Sequence, residues 1–114
     1  MENTKSKTQL RESSVRKARP GEVAYVAGKI NGLPNYKENF NKAVKELQDL
    51  GYIVMNPADL PEGMPYEKYL PICLSMLEAS DVLYMLDNWT DSKGASVEHS
   101  YGVAQGKEIH YQAG

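Results

Sequence analysis

Two loops and one helix carry the residues whose types could do chemistry. Gly28-Lys29-Ile30-Asn31-Gly32 follows an apolar run and precedes a helical pattern. Glycines in that setting let backbone N–H groups approach a phosphate closely, although a simple turn would use the same residues. The loop is neither a GxGxxG fingerprint nor a Walker A motif. Asp87-Asn88-Trp89-Thr90-Asp91-Ser92-Lys93-Gly94 is polar and leads straight into another helix. Ser92 is placed to cap that helix and to donate to an anion at its N-terminus; capping alone is the plainer reading. Trp89, the single tryptophan, could line a base pocket by stacking or cover the sheet edge, and the pocket is the reading adopted. Glu98 falls in the first turns of the same helix. A carboxylate held there can act as a nucleophile, or be a solvated helical glutamate like most. His99 points about 100° away around the helix and should not share its task. Cys73 reads as a buried, inert thiol on an apolar helix face. Asp81, before the third apolar run, reads as structural.

The elements that must position these groups are legible from periodicity. Val23–Ala27, Tyr52–Met55, Val82–Leu86 and Glu108–Tyr111 read as strands, the third the most apolar. Between the first two, Phe40, Ala43, Val44, Leu47 and Leu50 keep the spacing of one buried helical face. Asn35 with Glu38 three residues on resembles a capping box, and Gly51 supplies the stop. Tyr66, Tyr69, Leu70, Cys73, Leu74 and Leu77 repeat the helical spacing, with Pro71 expected to interrupt the helix or start its main part. A third helix runs from Gly94 to about Gln105. Strand–helix alternation with apolar strands predicts an α/β fold: a single Rossmann-like (flavodoxin-like) domain, a parallel sheet of four to five strands with helices on both faces. Ligands of such sheets sit beyond the carboxyl ends of the strands, where both polar loops arrive.

Composition narrows the class. The chain has 114 residues, 41% hydrophobic and 25% charged, enough for one domain and one modest core. Its mean hydropathy of −0.55 is that of a soluble protein, and no apolar run nears the ~18 residues of a membrane span. The basic N-terminus lacks the apolar stretch of a secretory signal. One cysteine excludes an internal disulfide, and one Cys with two His argues against structural zinc. A reducing cytoplasm is the expected setting. Residues 1–22 carry six Lys/Arg against three Glu, a net +3, and read as a disordered basic tail. Residues 23–114, the expected domain, carry a net −5, which argues against nucleic acid as a partner.

Taken together, Trp89-Thr90-Asp91-Ser92-Lys93-Gly94-Ala95-Ser96-Val97-Glu98 resembles the signature of the nucleoside 2-deoxyribosyltransferase-like superfamily. Residues 23–112 are similar to a short phage and bacterial branch of it, which also shows a glycine loop after strand one, Asn56-Pro57 after strand two and Gly106-Lys107 before the last strand. The resemblance implies that Glu98 is a nucleophile on C1′ of a (deoxy)ribosyl group, forming a covalent glycosyl-enzyme as in retaining glycoside chemistry. It implies that Tyr25 assists, and that Gly28, Ile30, Gly32, Asp87, Trp89, Ser92 and Gly94 hold the substrate. The transferases usually carry aspartate where this chain has Ser92. Nucleoside 5′-monophosphate N-glycosidases carry serine there to bind phosphate, and their first loop is of the G-x-I-x-G type. One departure stands out. The superfamily commonly places an acid eight residues before the Ser80-Asp81 step, where this chain has Cys73. A thiol of pKa ~8.5 is a poor general acid, so either another group such as Asp87 or Glu67 serves, or turnover is slow, or the protein binds nucleotides without cleaving them.

The expectation is therefore a hydrolase (glycosidase) of nucleotide metabolism, cleaving the N-glycosidic bond of a nucleoside 5′-monophosphate. The alternatives are a nucleoside 2-deoxyribosyltransferase, a non-catalytic nucleotide-binding protein and a plain scaffold domain. No metal and no organic cofactor is expected. The partner would be a small-molecule nucleotide or nucleoside, with no membrane involvement, and the resemblance implies a homodimer or larger homo-oligomer.

Overall fold

The computed structural model describes residues 15–113. Four parallel strands form one sheet: β1 (Val23–Ala27), β2 (Ile53–Met55), β3 (Val82–Met85) and β4 (Glu108–Tyr111). Their order is β2-β1-β3-β4, so β1 and β3 are central. Tyr25 lies beside Met55 on one side and Leu83 on the other, and Tyr84 pairs with His110. Three helices make the crossovers: α1 (Tyr36–Asp49), α2 (Tyr66–Glu78) and α3 (Lys93–Ala104). The predicted α/β architecture and four of its four to five strands are what the chain builds.

Strand alternation divides the core between the two faces. Ala24, Val26, Tyr84 and Leu86 meet Phe40, Ala43 and Leu47 of α1 on one face. Tyr25, Ala27, Leu83 and Met85 meet Cys73, Leu77 and Ala95 of α2 and α3 on the other. Burying a side chain such as Phe40 or Leu47 contributes about 1.5–3 kcal/mol each. α3 approaches β3 so closely that a Cβ on Gly102 would come within 2.6 Å of Leu83 Cδ2.

Several local expectations are corrected. Asn35 does precede α1, but its side chain makes no cap hydrogen bond; its backbone carbonyl accepts from Glu38 and Asn39 instead, so no capping box forms. The stop is as read. Gly51, at φ +97°, donates to Gln48 O while Tyr52 donates to Leu47 O, closing the helix in a Schellman motif. Pro71 neither interrupts nor starts α2, which runs through it. Pro71 and Glu67 both lie on the exposed side, where water can serve the carbonyl that proline leaves unpaired. Asp81 is structural: its Oδ2 accepts from Val23 N–H at 3.0 Å, tying the start of β3 to that of β1.

Of the expected disordered tail over 1–22, residues 1–14 lie outside the described residues. Residues 15–22 are tied to the domain. Val15 and Ala18 pack on the α1-side core, and Ala18 N–H donates to Leu50 O at 2.9 Å. The Arg16 guanidinium reaches Glu22 (2.8 and 2.9 Å) and Glu108 (2.9 and 3.0 Å) at once. That bidentate contact holds the Glu22 carboxyl down at about 2. Charge counting treats these basic residues as a tail; here Arg16 finds one carboxylate six residues on and another 92 residues away.

Candidate functional site

A cleft of about 850 Å³ opens at the carboxyl ends of β1 and β3, where the strand order reverses. Its floor is Tyr25 of β1, Cys73 of α2 and Glu98 of α3. Each arrives by its element's period. Tyr25 belongs to the β1 side chains on the α2/α3 face, Cys73 to the apolar stripe of α2, and Glu98 to the same helix face as Ala95, one turn on.

Glu98 is only 7% exposed. Its Oε2 accepts from the Tyr25 hydroxyl at 2.7 Å in a buried contact, and the Cys73 thiol lines the same floor. Burial pushes the Glu98 carboxyl up to about 7, against the pull of the Tyr25 and Cys73 hydrogen bonds. Burial likewise pushes the Cys73 thiol up to about 11 and holds the Tyr25 phenol well above 10. The result is a carboxyl poised to change charge near neutrality, with protonated donors on it. Such a group can serve as a nucleophile once ionised.

The mouth is built from the loops. Gly28 admits no side chain: a Cβ there would stand 2.5 Å from Leu86 Cδ1 and 2.9 Å from its Cβ. Lys29 N–H donates to Asn88 Oδ1 at 3.0 Å, joining the loop after β1 to the loop after β3. Ser92 is the N-cap of α3, its Oγ accepting from Ala95 N–H at 3.1 Å. The hydroxyl keeps its own proton for another acceptor. Gly94 lets the Tyr66 ring approach, with Cε1 3.3 Å from where a Cβ would be. Tyr69 OH donates to Pro61 O and accepts from Met64 N–H, which fixes the 61–64 wall.

The structure thus brings together Tyr25, Glu98, Gly28, Ile30, Gly32, Ser92 and Gly94. It does not bring Trp89 or Asp87 to them. The 3₁₀ turn Trp89–Asp91 swings the indole to the far side of α3, where it stacks on His99 at 4.3 Å and lies 6.2 Å from Tyr111. The rotation that separates His99 from Glu98 also separates Trp89 from the cleft. Asp87 follows the end of β3, where its N–H donates to Gln112 Oε1 at 3.0 Å. It lines a separate polar hollow with Asn39 and Lys42. Glu67, the other carboxyl expected to stand in for a missing acid, is exposed on α2 and off the cleft wall. Cys73, which stands where the resemblance implies an acid, lines the cleft with Glu98, although its apolar stripe alone reads as that of an inert buried thiol. Sequence reasoning missed Lys29, Lys93, Tyr36, Tyr66, Tyr69 and Asp91, all lining the cleft; their residue types carry no spacing signal.

Among the described residues no group of His, Cys, Asp and Glu could hold a metal ion. No helix among them is long and apolar enough to cross a membrane.

A family model described as a domain of unknown function, DUF4406, matches residues 22–111. No curated protein matches the sequence significantly. Among solved structures, the fold is similar to a 2-deoxyribosyltransferase from Leishmania mexicana, with TM-score 0.60 and 19% identity over 77% of this chain. It is also similar to a 2-deoxyribosyltransferase from the psychrotolerant bacterium Bacillus psychrosaccharolyticus, with TM-score 0.60 and 23% identity over 76% of this chain. The chain covers 61% of the first and 69% of the second. The fold is therefore the one the sequence resemblance implied.

Proposed function

The chain belongs to the DUF4406 family, and on that footing we propose that it is an enzyme of N-glycosyl transfer. It moves the (deoxy)ribosyl group of a nucleoside from one base to another through a covalent ester on Glu98. The observation that carries this reading is the buried Tyr25–Glu98 contact on the floor of a large cleft at the sheet's switch point. Glu98 attacks C1′, and the Tyr25 hydroxyl orients the carboxylate and shares its charge. Gly28, Ile30, Gly32, Ser92 and Gly94 hold the sugar and its 5′ substituent. No cofactor takes part. The 2-deoxyribosyltransferases that share the fold support transfer ahead of hydrolysis.

One observation favours a second reading, hydrolysis of a nucleoside 5′-monophosphate. Ser92, Lys29 and Lys93 line the cleft together, and the N-terminus of α3 adds its dipole, a setting suited to a phosphate. The proposal includes a homodimer or larger assembly working in the cytoplasm, which light scattering and localisation of the tagged protein would check.

The deciding experiment incubates a 2′-deoxynucleoside with a second free base and separates the products by chromatography. An exchanged nucleoside supports transfer. Free base without exchange, above all from a 5′-monophosphate, supports hydrolysis. Either must vanish in Glu98→Gln. Binding with no Glu98-dependent product would refute both and leave a nucleotide-binding protein.

A further inference from the structure

Retaining glycoside chemistry asks for two carboxyl groups, one to attack and one to protonate the leaving group. The floor of this cleft supplies only the first. The polar neighbours of Glu98 are the Tyr25 hydroxyl, 2.7 Å from Oε2, and the Cys73 thiol. Tyr25 spends its proton on Glu98, and burial makes both groups hold their protons tightly, Cys73 up to about 11 and Tyr25 well above 10. Neither is matched to hand a proton to a departing nitrogen at neutral pH. The remaining carboxyls lining the cleft are at its rim. Glu62 is exposed and paired with Lys37 at 2.6 Å, which holds it below the usual carboxylate range. Asp91 is exposed and precedes the N-cap Ser92. Glu98 lies six residues past that cap, about 9 Å along the helix axis.

No acid is needed when the leaving nitrogen already carries a positive charge. Resting on the glycosyl-transfer reading above, we propose that the substrate is an N-riboside of a cationic pyridinium-type base. Glu98 Oε attacks C1′ and the C1′–N bond breaks. The bonding pair neutralises the ring nitrogen, so the base departs as a neutral pyridine and no proton moves. The lone pair of a second neutral pyridine then forms a new C1′–N bond, and the ester pair returns to Glu98. With water as acceptor the same ester bond breaks and the water proton goes to solvent. Neither half-reaction calls on a second carboxyl, which the described residues do not place on the cleft floor.

Two features of the cleft fit the same cation. A positive ring beside Glu98 favours the ionised carboxylate that burial disfavours, so the substrate itself charges the nucleophile. A neutral base would only deepen the desolvation. The rings of Tyr36, Tyr66 and Tyr69 line the walls, and tyrosine faces attract flat cations.

The test gives the protein nicotinamide riboside and nicotinamide mononucleotide in one set, and 2′-deoxyinosine, thymidine and cytidine 5′-monophosphate in another. Released base is measured with and without added 3-acetylpyridine, and Glu98→Gln runs in parallel. The expected result is Glu98-dependent release, with exchange to the 3-acetylpyridine product, at least about 100-fold faster from the pyridinium compounds, the lower end of what a general acid supplies. Cys73→Asp, checked for folding by circular dichroism, should narrow that gap at least tenfold by supplying the acid. If it does not fold, the wild-type comparison decides alone. Glu98-dependent release from the neutral-base nucleosides at a comparable rate would overturn this inference and leave glycosyl transfer standing. No Glu98-dependent release from any compound would overturn both.

Discussion

Replacing Glu98 by glutamine exchanges a buried carboxyl for an amide of the same shape whose oxygen can still accept from Tyr25. The consequence for stability is calculable. Glu98 is 7% exposed, and burial raises its pKa from 4.5 to about 7. The folded protein therefore binds this proton more tightly than the unfolded chain does. The stability linked to that proton is fully present below about 4.5 and is lost as pH rises through about 7. At 1.36 kcal/mol per pH unit, the displacement corresponds to about 3 kcal/mol. Glutamine does not titrate and escapes that cost. Relative to wild type, Glu98→Gln should gain about 3 kcal/mol on going from pH 4.5 to pH 8, while other titrating groups cancel in the comparison. With a urea m-value of about 1.5 kcal/mol/M, the midpoints should separate by about 2 M more at pH 8 than at pH 4.5. Urea unfolding followed by circular dichroism at pH 4.5, 6.5 and 8 measures it. A difference that stays constant across that range would show that Glu98 is not a buried, perturbed carboxyl, and the reading of the cleft would fall with it. A variant that loses activity while gaining alkaline stability is the mark of a strained functional group.

Gly28→Ala should destabilise by about 1–3 kcal/mol in thermal or urea unfolding, because its Cβ would meet three atoms of the fully buried Leu86 side chain. Arg16→Ala should flatten the acid side of the stability profile. Arg16 holds Glu22 at about 2, so wild-type stability is present above about 4.5 and lost as pH falls through about 2, whereas the variant should show a smaller fall in urea midpoint over that window. Cys73, with its thiol pushed up to about 11 and 7% exposed, should react with a disulfide reagent at pH 8 at least 100-fold more slowly in the native than in the urea-unfolded protein.

The fold was largely legible because its signals are local. Short apolar runs, one helical stripe ending at Gly51 and the strand–helix alternation fix a parallel sheet, and the sheet fixes where a ligand site can be. Glu98 and Tyr25 could be singled out through the family resemblance alone; taken by itself, Glu98 reads like most helical glutamates. What could not be read depends on rotation about an axis or on partners distant in sequence. Trp89 looks like a pocket residue until the 3₁₀ turn aims it at His99. Asp87 looks like a loop acid until Gln112 draws its backbone aside. Cys73 satisfies the apolar pattern of α2, so the pattern alone conceals its place on the cleft floor with Glu98. Arg16 reads as tail charge because its partner Glu108 is 92 residues away.

The stack of Trp89 on His99 gives the domain an optical gauge. Trp89 is the only indole in the chain, and it rests 4.3 Å from an imidazole on the back of the helix whose front carries Glu98. Imidazole quenches indole emission, and the quenching depends steeply on ring overlap. A ligand that draws α3 toward the cleft by a fraction of an ångström changes that overlap without touching the tryptophan. Fluorescence of the unlabelled protein can therefore report ligand seating.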